Sequence, residues 1–348
     1  MSIAGSVEGG LRNRSTSVDS PSPLESFRGG LVPGFNHLDG FNTQVRDQPH
    51  GRSAMKAFLG FHQLRSRTLL GEAVTELNFT AIFMFFHIGI VRAATMKDTF
   101  SAPAVVGGLG HFLLIVLCTF AGAGSGAHFN PNITVATTLI GLTTVYRCLV
   151  YMAFQLCGAM LGVLLMRIVL GWDVTPTDLA VCSRGSLSFG SAVCVEAFFF
   201  HALLCVIGGI SFDPRQMRIF GPVLAPIFIA SAIGLIVFTS LNIGQPGYGP
   251  MLNWAQCVGT SIVVGEFNGD ELISFLGPTI ASLVHSALFI AVPPSHAQTG
   301  RWRLPLIESQ VPSIRVHSDH PFEGEGSRRL SLDIEAPSSI NGGSHRRM

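Results

Sequence analysis

Residues 125–136 read SGAHFNPNITVA, a run of small and polar residues set inside one of the most apolar regions of the chain. A second interruption, GPMLNWAQCVG at 249–259, also centres on an Asn. Each opens an apolar piece, about 129–141 and 252–264, that is too short to cross a hydrocarbon core of about 30 Å. Each also follows Gly-rich sequence, AGAGSGAHFN in one case and GQPGYGPMLN in the other, which predicts non-helical backbone at membrane depth. Backbone of that kind survives in a bilayer only when it is buried in protein or lines a water-filled cavity.

The surrounding composition fits a membrane setting. Of 348 residues, 48% are hydrophobic and 12% charged, against about a quarter charged in an average soluble domain. A net charge of +1, with Lys and Arg confined to tails and short loops, excludes a nucleic-acid partner. The chain shows no phosphate-binding glycine motif, zinc-spaced Cys/His cluster or GxSxG, so no cofactor, metal or catalysed reaction is expected. Residues 1–55 and 294–348 are polar and rich in Ser, Gly, Pro and Arg, and read as disordered tails flanking a channel domain at 56–293. The amino end lacks a cleavable signal pattern, so the first span is expected to direct insertion.

Six apolar segments lie between the tails, near 71–91, 104–122, 147–170, 189–210, 219–241 and 271–293, each about long enough to span. An even number puts both termini on one side. That side carries Lys56, Arg65, Arg67, Arg147, Arg215, Arg218, Arg301 and Arg303, against Arg92, Lys97, Arg167 and Arg184 on the other. The positive-inside rule therefore predicts cytoplasmic termini. The halves are also alike: ELNFTAIFMF begins at Glu76 and EAFFFHALLC at Glu196, and the two interruption Asn residues are Asn130 and Asn253. Repeats near 71–170 and 189–293, each with three spans and a half-helix, must have opposite topology, so the half-helices enter from opposite faces. The fold class read here is an all-α membrane protein of six transmembrane helices plus two re-entrant half-helices in an inverted repeat.

The motifs SGAHFNPN and GPMLNWAQC, together with Gln155 in YMAFQLCGAMLG, DPRQM at 213–217 and LGPTIASLVHSALF near the end, resemble the aquaporin, or major intrinsic protein, family over about residues 71–293. Cys257, directly after the position where the family carries an Arg, is similar to the X intrinsic proteins of plants and fungi. The resemblance implies a multi-pass protein, expected in the plasma membrane as a homotetramer with one pore per subunit. It implies passive flux of small neutral solutes and no reaction. Two half-helices meeting amino end to amino end aim about +0.5 charge each at the bilayer centre. Asn130 and Asn253 offer amide donors there, so the waist of Asn130, Pro131, Asn132, Asn253, Trp254 and Ala255 is expected to orient hydroxyls and reject cations.

Three departures from the family pattern bear on permeation. The usual Ala of the first Asn-Pro-Ala box is Asn132, and the usual Pro of the second is Trp254, which weakens the helix start and adds a ring near the waist. Gln256 stands where the outer constriction has Arg. Counting from the two box Asn residues assigns Gly110 and about Leu241 to the rest of that filter, which is then wider and more apolar than a water-selective one. By analogy it suits glycerol, urea, metalloid hydroxides or hydrogen peroxide, and water alongside them. A non-conducting structural or regulatory subunit is the rival reading, and a coupled transporter ranks last because the waist offers no ionisable residue.

The remaining candidates read as follows. Glu76 and Glu196 are intramembrane carboxylates expected to accept bonds from the re-entrant loops. His111, His201 and His285 have no metal-site spacing and read as core histidines. Cys257 is either a redox- or mercury-sensitive pore thiol or a packed one, and Cys182, in an exposed loop, is expected to form any disulfide between subunits. Ser331, in SRRLSLD, matches a basophilic kinase pattern.

Overall fold

The structure, a computed structural model, describes residues 52–95, 102–212, 214–243 and 247–291. Both expected tails beyond these limits lie outside the described residues, as do Ser331, Lys97, Arg301 and Arg303. Among the described residues the secondary structure is helical: α1 (Arg52–Leu59), α2 (Arg67–Thr95), α3 (Pro103–Ala121), α4 (Pro131–Leu139), α5 (Val145–Leu170), α6 (Phe189–Ile207), α7 (Pro214–Ser240), α8 (Trp254–Val264) and α9 (Glu271–Ala291). Helix α1 takes up the last residues of the expected tail 1–55, and helix α7 begins at Pro214, within the DPRQM motif. Six of these helices are long and apolar enough to cross a membrane, and α4 and α8 are the two short ones expected.

Local chemistry sets the helix starts. Asn130 and Asn253 have extended backbones and cap α4 and α8 with their side-chain oxygens, while Thr144 and Ser188 cap α5 and α6 in the same way. Pro131 and Pro103 occupy first-turn positions where no amide hydrogen is needed.

Packing follows the repeat. Helix α2 packs along α5 and α6 along α9, while α3 meets α7 across the boundary between the halves. Each half-helix lies on the other repeat's third span, α8 on α5 and α4 on α9, as an inverted duplication requires. The α2–α5 crossing is close because α5 presents Gly158 and Gly162 to it. A Cβ at either position would land on the carbonyl oxygen of Leu77 or Ala81. One apolar cluster forms around Met84, Ile88, Leu114, Val163 and Leu179, and a second around Phe200, Leu203, Leu204, Ile229 and Leu252, on either side of the central path.

Candidate functional site: a central pore between two capped half-helices

The SGAHFN loop is held in a costly conformation. Ala127 has φ 54° and Phe129 φ 46°, left-handed values that disfavour any residue with a Cβ by about 1–2 kcal/mol. Glu76 of α2 compensates from beneath. Its Oε1 accepts from Ser125 Oγ at 2.6 Å and His128 N at 3.1 Å, and its Oε2 accepts from Phe129 N at 2.7 Å and Gln155 Nε2 at 2.8 Å. A carboxylate has the lone pairs for all four. The second repeat uses the same device more sparingly: Glu196 Oε1 accepts from Tyr248 OH at 2.6 Å and Met251 N at 2.9 Å.

With the loops fixed, the two caps face each other. Asn130 Nδ2 donates to Leu252 O and Asn253 Nδ2 donates to Phe129 O, both at 3.0 Å, so each Asn is tied to the backbone that precedes the opposite cap. Their oxygens accept from the first-turn amides, Asn132 N at 2.9 Å for Asn130, Ala255 N at 3.1 Å and Gln256 N at 3.4 Å for Asn253. One amide hydrogen on each Nδ2 is left for the cavity that both residues line.

The other expected waist residues do not share that role. Asn132 is buried and donates to Leu252 O at 3.0 Å and Ser274 O at 2.9 Å, joining α4 to the opposite loop and to α9. Pro131, Ala255 and Trp254 are absent from the lining of the cavity that Asn130 and Asn253 share. The Trp254 ring is therefore not part of that wall.

The cavity, of about 130 Å³, is walled by apolar side chains including Phe83, Ile115, Leu203 and Ile233. A wider vestibule of about 400 Å³ adjoins it, lined by Leu241, Gly107, Tyr248 and Glu266 among others. His87, His111, Val237, Pro250 and Gln256 line both, and so form the constriction between them. Two expected filter positions need correction. Gly110 faces Ile90, and the α3 residue at the constriction is His111. Counting from Asn130 missed it by one residue, which is about 100° of helix rotation and enough to move a side chain off the pore face. Leu241 belongs to the vestibule, with Val237 of α7 one turn closer to the waist. Gln256 lines both cavities.

His87 was not foreseen at all; the available signal was an ionisable side chain on an apolar span. It links the other two polar residues. His111 Nδ1 lies 2.7 Å from Gly107 O, His111 Nε2 lies 2.8 Å from His87 Nδ1, and His87 Nε2 lies 3.0 Å from Gln256 Nε2. A carbonyl only accepts, so His111 carries its proton on Nδ1 and accepts at Nε2. His87 then donates from Nδ1 and accepts the Gln256 amide hydrogen at Nε2. The protons run one way, Gln256 to His87 to His111 to Gly107 O, with both imidazoles neutral and all four ring nitrogens satisfied. The Gln256 oxygen remains for the pore.

The cysteine expectations are overturned. Cys182 and Cys257 form a disulfide within one chain, with Cα atoms 5.3 Å apart. Cys182 is thus not the intersubunit link, and Cys257 is not a free pore thiol. The pairing joins the 171–188 loop to the first turn of α8, one residue beyond Gln256, and sequence separation hid it. His111 has a pore role in place of the core role expected for it, and His201 and His285 meet each other across α6 and α9.

Comparison with known proteins accords with this geometry. The profile of the major intrinsic protein family matches residues 63–289. The chain is 27% identical to aquaporin-2 of Rattus norvegicus over 81% of its length and 98% of that protein. It is 30% identical to aquaporin TIP4-4 of Zea mays over 68% of its length and 94% of that protein. Its fold is similar to an X-ray structure of the aquaglyceroporin from Plasmodium falciparum, with TM-score 0.52 and 22% identity over 69% of this chain and 99% of that one. With six spanning helices, two half-helices meeting at capped Asn residues and a path between them, the chain belongs to the major intrinsic protein family and is an integral membrane channel for water or small solutes.

Proposed function

We propose that this channel passes small uncharged hydroxylated solutes, of the glycerol, metalloid-hydroxide and hydrogen-peroxide kind, together with urea and water. The observation that supports it best is the constriction. Where a family filter has a fixed cation, this chain has a neutral chain of Gln256, His87 and His111 that leaves an amide oxygen facing the path. That oxygen accepts from a passing O–H or N–H, while Val237 and the apolar wall receive the carbon face of a polyol. Cation rejection falls to Asn130, Asn253 and the converging helix ends.

Other parts of the reading rest on likeness and pattern. The channel works as a homotetramer in the plasma membrane with cytoplasmic tails, Ser331 is a phosphorylation site on one of them, and Cys257 keeps the resemblance to the X intrinsic proteins.

Stopped-flow light scattering on proteoliposomes, with a panel of water, glycerol, urea, boric acid and peroxide, tests the proposal when run beside Gln256→Arg. The Arg fork would bring a permanent charge and a longer side chain to the constriction. Glycerol and urea flux should then fall by a larger factor than water flux. Wild-type protein that passes water but no other member of the panel would overturn the solute assignment, and protein that passes nothing would favour the non-conducting subunit.

A further inference from the structure

On the far side of the pore wall from the constriction, His201 and Cys205 of α6 face His285 of α9. We propose that these three side chains form a binding site for a thiophilic d10 cation, Zn²⁺. His201 and Cys205 are four residues apart, on one face of their helix, and His285 comes from the helix packed alongside. Cys205 Sγ lies 3.5 Å from His201 Nε2 and 3.9 Å from His285 Nδ1. One donor atom from each of the three residues falls within 4.8 Å of the others. Tetrahedral zinc, with bonds of about 2.3 Å to sulfur and 2.0–2.1 Å to nitrogen, sets sulfur and nitrogen about 3.5 Å apart and two nitrogens about 3.3 Å apart. The two sulfur–nitrogen separations already match to within a few tenths of an ångström, so closing the site needs only a tilt of the two rings toward each other.

His201 Nδ1 and His285 Nε2, the ring nitrogens turned away from Cys205, are buried without a hydrogen-bond partner among the described residues, so no bond there fixes either tautomer and the nitrogens facing Cys205 can present their lone pairs. His87 and His111, by contrast, have every ring nitrogen matched. The donor set selects the ion: a thiolate and two imidazoles suit zinc, and the absence of a carboxylate from the group disfavours magnesium and calcium.

Cys205 is exposed on the flank of the chain, two residues before the end of α6, where the helix continues as a π-turn over Gly208–Phe212. The thiol therefore opens to the outside of the chain and not to the pore. On binding, the Cys205 S–H bond breaks, its proton goes to solvent and the sulfur pair forms the bond to the metal. Each neutral imidazole donates one lone pair, so one proton leaves per ion bound, and a water completes the fourth position. Leu203, between the two α6 ligands, lines the pore, so the ion would clamp the helix that carries this part of the wall.

The test uses the full chain, purified and stripped with a chelator, titrated with Co²⁺ as a spectroscopic stand-in and then with Zn²⁺. Expected are one Co²⁺ per chain with a thiolate-to-cobalt absorption band, its displacement by Zn²⁺ and the release of one proton. Cys205→Ser, a change at an exposed position, should abolish the band, and His285→Gln should weaken binding at least tenfold. Four other cysteines, Cys118, Cys148, Cys157 and Cys194, are free, so a band that persists in Cys205→Ser would overturn the proposal. Zn²⁺ binding equally tight in wild type and in folded Cys205→Ser or His285→Gln protein would overturn it as well. Neither result depends on which solute the channel passes.

Discussion

Replacing Glu76 by Gln separates a carboxylate that supports the pore loop from one that merely lies near it. Glu76 accepts from four donors, two per oxygen. Gln has one acceptor oxygen and an NH₂ group, so two of the four donors must face another donor. If the NH₂ takes the Oε2 place, it opposes Phe129 N and Gln155 Nε2; if it takes the Oε1 place, it opposes His128 N and Ser125 Oγ. The Ser hydroxyl can rotate to accept, but the backbone amide cannot. At least one buried N–H in a left-handed segment is therefore orphaned, at about 1–3 kcal/mol, and the surviving bonds lose their charge assistance, at about 1 kcal/mol each. The total is about 4 kcal/mol, or about 5 °C in Tm for a chain of this size. Glu196 provides the control. Its Oε1 accepts from Tyr248 and Met251, while Oε2 has no partner among the described residues, so an NH₂ placed there opposes nothing. Glu196→Gln should lose only charge assistance, about 1–2 kcal/mol. Thermal unfolding in detergent and solute flux in liposomes should both show Glu76→Gln as the more damaged variant. Equal loss in the two variants, or the reverse order, would refute the reasoning from hydrogen-bond inventory.

Three further outcomes follow from the geometry. Trp254→Pro should leave glycerol and water flux unchanged, because the ring is outside the cavity lining and proline fits the first helical position; a rise in stopped-flow rate would place the indole in the path. Cys182→Ser, Cys257→Ser and the double variant should all lower Tm by the same amount, since each removes the one cross-link joining the loop to α8, and additive losses would show that the sulfurs act separately. The Thr175 hydroxyl and backbone amide, with the Arg92 guanidinium, hold the Asp178 carboxyl below the usual carboxylate range, so its contribution is complete above the unfolded value of about 3.9 and is lost as pH falls through the lower folded one. Amide exchange across residues 175–180 should accelerate only on acidification past that range, and Asp178→Asn should show the fast exchange already at pH 7.

Much of the fold was legible because its determinants are local or compositional. The length of an apolar run fixes whether it can span, so the segments near 71–91 and 271–293 became α2 and α9 with ends moved by a few residues. Asn before Pro at 130–131 and Asn at 253 sit where a helix start needs a side-chain acceptor, and the offset between Glu76 and Glu196 marks the repeat in the sequence itself. The short apolar pieces after the Gly-rich loops identified α4 and α8 by the same length argument.

Tertiary structure alone decided which side of each element faces the path and which distant residues meet. Gly110 and His111 are adjacent in sequence, yet one presses on Ile90 and the other closes the constriction, because 100° of helix rotation is the difference between wall and lumen. Asn132 fastens a half-helix to Leu252 and Ser274 instead of lining the waist. Cys182 found Cys257 across 75 residues, and His285 reached Cys205 across 80. A spacing rule reports neighbours along a chain, whereas these pairs are set by how α6, α8 and α9 pack, and only the folded chain contains that information.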